Sequence, residues 1–142
     1  MENKIIKLFL RFAIAIGFLS AVADRLGYWP KEISAWGNWE SFLGYTEFIN
    51  SWIPSSLIPF VGTSASIAEV LFAICLLVGF KTELFAKLSG YLMLLFALAI
   101  TFSSGLKGAF DYSVFAASAG AFALSVMKDK YFEIDMILSK KS

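Results

Sequence analysis

The chain has 142 residues, 58% hydrophobic and 16% charged, with a formal net charge of +1 and a mean hydropathy of +0.73. Soluble domains carry about 25% charged residues, so this balance points to one integral membrane domain, and no basic block suits nucleic acid. With no histidine and one cysteine, Cys75, the chain excludes imidazole haem ligation, the usual catalytic zinc site, His-based triads and a Cys-x-x-Cys redox pair.

A bilayer core about 30 Å thick takes roughly 20 apolar residues per helix. Four stretches qualify: 5–23, 57–80, 84–104 and 110–127. None alternates polar with apolar as barrel strands do. The expected fold class is therefore all-α, a single integral membrane domain over 1–142 built as a four-helix bundle. The first stretch ends on Ala21-Val22-Ala23 before Asp24, which resembles a signal-peptidase site. The apolar run continues into Trp-rich sequence and Arg11 lies deep within it, so we expect the segment to be retained.

Residues 24–56 hold all four tryptophans, Trp29, Trp36, Trp39 and Trp52. From 38 to 52 the period is helical. Trp39, Phe42, Leu43, Thr46, Ile49 and Ile53 share one side, opposite a narrow stripe of Glu40, Gly44, Glu47 and Ser51. This predicts an amphipathic interfacial helix in the first outer loop, with its tryptophans at headgroup depth or capping a cavity in the bundle. Nine of the twelve basic residues, including Lys140 and Lys141, fall on the side of the termini; Arg25, Lys31 and Lys107 fall on the other. The positive-inside rule then places both termini in the cytoplasm.

Glu69 stands near the middle of the second span. An ionisable group at that depth costs about 2.5–3.5 kcal/mol unless it is paired, protonated or wet. Gly62, Ala65, Ser66 and Ala73 share its face, so the carboxylate is expected to point into the bundle. Arg11, two turns inside the first span, is the expected partner. Such a pair is either a proton or ligand site or a buried ion pair that sets helix register. A second polar cluster is expected at the outer end, from Asp24, Arg25, Lys107, Asp111 and Tyr112, beneath Trp36 and Trp39. It reads either as surface ion pairs and a helix cap or as the mouth of a cavity floored by Glu69. No metal-ligand pattern, phosphate loop, dinucleotide fingerprint or nucleophile elbow is present.

Several stretches together resemble the DoxX/DoxD-like family of small bacterial membrane proteins. They are Arg11 followed by GFLSAVADRLGYW, the loop WGNWESFLGYTEFINSWIP, the run SIAEVLFAICLLVGFKTELFAKLSG and the opening LKGAFDYSVFAASAGAF. The resemblance runs from about Arg11 to Met127. It implies a four-helix membrane bundle in which Arg11 and Glu69 match the buried charged positions and Asp24, Arg25, Asp111 and Tyr112 fall at polar ones. The family usually has arginine after the threonine of the Gly-Phe-Lys-Thr turn, where this chain has Glu83. Named members work beside thiosulfate:quinone oxidoreduction and thiol-oxidoreductase systems.

Two readings follow. In one, the chain is an accessory subunit of a quinone-linked redox system, with Glu69 exchanging a proton at a quinone oxygen, no intrinsic cofactor, and redox proteins as partners. In the other, it is a non-enzymatic bundle that binds lipid or small molecules or assists assembly, and the Glu/Arg pair is structural. Transport is a weaker reading; four spans without a repeat would require a homodimer. The residues leave open whether the chain is an enzyme.

Overall fold

The computed structural model describes residues 1–140; Lys141, counted above among the basic residues, lies outside them. No strand occurs among the described residues. The helices are α1 (Glu2–Arg25), α2 (Trp39–Ile49), α3 (Ile58–Val78), α4 (Thr82–Ser104), α5 (Leu106–Asp111), α6 (Val114–Ser125) and α7 (Asp135–Leu138), with a 3-10 turn at Ser55–Leu57 before α3. Three segments, Glu2–Arg25, Ser55–Val78 and Thr82–Ser104, are long and apolar enough to cross a bilayer.

Each long helix buries a narrow stripe. On α1 it is Lys7, Arg11, Ala15 and Phe18, and on α3 it is Gly62, Ser66, Glu69, Ala73 and Leu76. Spacings of three and four put each set on one face. Large apolar side chains such as Phe9, Ile16, Ile67, Leu71, Leu95 and Phe102 stay exposed on the other faces, as the lipid-facing side of a spanning helix requires. The core joins Ala15 and Phe18 to Ala73, Leu76, Ala86, Met93, Ala121 and Leu124. Four alanines among these eight residues let the helix backbones approach closely, so that van der Waals packing holds them together. α1 packs on α3, α3 on α4, and α4 most extensively on α6, which also touches α1.

The fourth predicted span, 110–127, is not one continuous helix. Ser113 adopts a left-handed conformation (φ 55°) and separates α5 from α6. α6 alone has 12 residues, about 18 Å at 1.5 Å per residue, which is short of a crossing. The polar run Asp111-Tyr112-Ser113 is where regular helix gives way. The helix expected over 38–52 is found at Trp39–Ile49, N-capped by the Asn38 side chain, which accepts from the Ser41 amide at 2.8 Å. Its Phe42, Thr46 and Ile49 are buried against the protein. The apolar face therefore packs inward over the loop-bearing ends of α1, α3 and α4.

α3 ends at Gly79 in the left-handed conformation (φ 72°), where the Phe80 amide reaches the Cys75 carbonyl at 2.9 Å. A Cβ on Gly79 would also lie 2.5 Å from the Glu133 Cα. Gly79→Ala should therefore cost on the order of 2–3 kcal/mol through backbone strain and steric overlap. Limited proteolysis should show faster cleavage near residue 133. Wild-type cleavage with an unchanged unfolding temperature would remove the steric argument.

Candidate functional site

Two buried charged centres lie at opposite ends of the antiparallel pair α1–α3. At the loop end, Arg25 in the last turn of α1 meets Glu69 of α3. Its Nη2 donates to Glu69 Oε1 at 3.1 Å, its Nη1 donates to Glu69 Oε2, and Nη1 also donates to Ser66 Oγ at 2.8 Å. The side chains of the pair are 4% and 2% exposed, so this interaction is shielded from water and salt in a way surface pairs are not. The Phe42 ring centroid lies 4.1 Å from the Arg25 guanidinium carbon, and that of Trp36 lies 5.2 Å away. Aromatic faces at those distances attract the cation and keep water off it.

The neighbouring residue holds the lid. Asp24 accepts from the amides of Ala35 at 2.8 Å and Trp36 at 3.2 Å through Oδ2, and from Gly37 at 3.3 Å through Oδ1. Gly27 and Gly37 both take positive φ (79° and 76°) to fold the loop back onto the helix end. Trp36 then stacks edge-on against Phe42, with centroids 5.5 Å apart, and Trp39 lies 5.2 Å from Phe42. Asp24 and Arg25, adjacent in sequence, thus fasten the loop and the third helix respectively. Asp24→Asn removes the charge and turns one acceptor into a donor facing an amide. It should cost about 1–3 kcal/mol and redden tryptophan emission as Trp36 gains water. Unchanged emission would show that the loop is held by other contacts.

Tyr45 of α2 also faces this region, 6.0 Å from Trp36. Burial, with a smaller contribution from Tyr112, raises its hydroxyl pKa above the ordinary tyrosine value.

The second centre lies at the end bearing the termini. Arg11 is fully buried, and its donors go to four backbone carbonyls. Nε reaches Leu76 O at 2.8 Å and Nη2 reaches Leu77 O at 2.9 Å; Nη1 bridges Tyr131 O and Phe132 O at 2.8 and 2.9 Å. The first two are terminal carbonyls of α3 that lack helical partners, where a cation is also favoured by the helix dipole. Lys7, 1% exposed, donates to Asp129 O at 2.8 Å and lies 2.7 Å from Glu133 Oε1. Glu133 Oε2 accepts from Thr82 Oγ1 at 3.2 Å, and Asp135 accepts from the Lys81 and Thr82 amides at 2.9 and 3.3 Å, capping α4. A tail strap, residues 129–138, is thereby tied to three helices.

The expected Arg11–Glu69 pair is corrected by this geometry. On antiparallel helices Arg11 sits beside the end of α3, near Leu76, while Arg25 sits beside Ser66 and Glu69. The outer polar cluster is divided as well. Asp24 and Arg25 are buried, whereas Lys107 and Asp111 form an exposed pair at 2.7 Å within α5, and Tyr112 is 66% exposed. These three do not join Glu69. Trp29 lies back along α1, its indole N–H donating to Ser20 O at 3.2 Å, and Trp52 is exposed. Sequence reasoning missed Lys7, Glu133 and Asp135, and it placed Ser66 and Phe42 on shared helix faces without their contacts to Arg25. The spacing of Lys7 and Arg11, four residues apart on one face of an apolar helix, was a usable signal that both needed partners.

No protein-family model matches the chain, and neither a curated protein nor a solved structure is detectably similar to it.

Proposed function

We propose that the chain is an integral membrane protein of the DoxX-like kind, acting as a non-catalytic accessory or assembly partner in the bilayer. In this reading α5 and α6 together make the fourth crossing, α2 lies at the outer interface, and both termini face the cytoplasm of a bacterial cell. The observation that carries it is the engagement of Glu69: both carboxylate oxygens accept from Arg25 inside a site sealed by Phe42 and Trp36. A carboxylate so held is poised for register and rigidity, since proton exchange would first require breaking a buried ion pair.

A second reading, the quinone-linked redox subunit, is favoured by one observation. Arg25 Nε is buried without a hydrogen-bond partner, beside two aromatic rings. A flat ring carrying a carbonyl would supply both the acceptor and a stacking surface once the loop lifted. Mass spectrometry of organic extracts from protein purified in mild detergent separates the two. Phospholipid alone is expected. A stoichiometric isoprenoid quinone, lost in Arg25→Gln, would overturn the accessory reading in favour of the redox one.

A further inference from the structure

We propose that the tail strap is a docking surface for the anionic headgroup layer of the bilayer at the termini end. Among the described residues, that end carries eight cations against five anions, whereas the loop end carries three cations against six anions. Two of the eight, Lys7 and Arg11, are buried and offset by Glu133 and Asp135. The surplus is therefore on the surface, where Lys130 is exposed on the strap beside Asp129 and Lys140 is exposed just beyond its end.

The strap also turns its apolar side chains outward. Phe132 is 70% exposed, Ile137 61% and Leu138 50%. Phe132 takes a left-handed backbone (φ 46°), unusual for a bulky residue. Arg11 imposes it by drawing the carbonyls of Tyr131 and Phe132 to one guanidinium nitrogen, and the result throws the ring away from the bundle. Inward-facing Glu133 and outward-facing Phe132 are thus two sides of one clamp. Beside the strap, a cavity of about 370 Å³ is lined by Lys81 and Lys130 together with Glu83, Glu133 and Asp135, so the cavity itself is acidic and the cationic surface for headgroups lies outside it.

Aromatic and aliphatic side chains flanked by lysines, at the end of helices long enough to cross a bilayer, match the chemistry of an interfacial anchor for anionic lipid. The neutral alternative, a water-exposed strap, would leave the three large apolar side chains Phe132, Ile137 and Leu138 in solvent.

The test uses the full chain with Cys75→Ala and Ile137→Cys, labelled at position 137 with an environment-sensitive fluorophore. It is placed in nanodiscs of phosphatidylcholine alone or with a third phosphatidylglycerol. Blue-shifted emission and quenching by spin-labelled lipid are expected only with phosphatidylglycerol, and both should fade at high salt. Lys130→Gln with Lys140→Gln should abolish the difference while elution volume and helical circular dichroism stay unchanged. A label that stays water-exposed in both lipids overturns the proposal. A label shielded equally in both, whatever the salt, overturns it in favour of a protein partner or a second copy on this face.

Discussion

Arg25→Leu and Glu69→Leu, made singly, should each destabilise the protein by roughly 3–5 kcal/mol, because each leaves an uncompensated buried charge. The double variant should recover much of that loss, since two leucines remove both charges. Recovery stops short of wild type: Ser66 loses its donor, and Phe42 loses a cation 4.1 Å from its ring centroid, worth on the order of 1–2 kcal/mol when desolvated. Thermal unfolding in detergent of the four proteins gives the cycle. A double variant no more stable than the worse single would show that the pair is not the organising contact between α1 and α3. Pairing Arg11→Leu with Glu69→Leu should show no such recovery, as these residues belong to different centres.

Arg11→Leu should be at least as damaging. It orphans four carbonyls at once, those of residues 76, 77, 131 and 132. At roughly 1 kcal/mol or more for each buried acceptor, the loss is about 4 kcal/mol. Arg11→Lys restores the charge but not the planar fork, and should recover less than half. The expected signature is local: protease cleavage within residues 129–138 rises sharply before global unfolding. Cleavage there at the wild-type rate would mean that the strap is held by Lys7 and Asp135 without the guanidinium.

The three long apolar helices and α2 were legible because they rest on composition and periodicity, which act locally. The buried face of α3 was legible too, since Gly62, Ser66, Glu69 and Ala73 share one stripe. The partner of Glu69 was not. Reach along a helix is easy to judge, but the choice between Arg11 and Arg25 turns on how far antiparallel α1 and α3 are offset, which no local pattern encodes. The break at Ser113 was hidden by a run that stays apolar on both sides. The strap was hidden for another reason. Its polar partners are backbone carbonyls, which every sequence has and none advertises, and its anchoring residues lie 120 to 122 positions from the side chains they meet.

That separation bears on how the protein is made. Lys7 and Arg11 belong to α1, and the strap groups that bind them are synthesised some 120 residues later. Until then the nascent chain holds two cations within an apolar helix with no counter-charge from the strap. Synthesis of the strap is thus registered inside the fold. A chain cut short before residue 129 would retain every long helix yet leave Lys7 without a partner and Arg11 with only the carbonyls of Leu76 and Leu77.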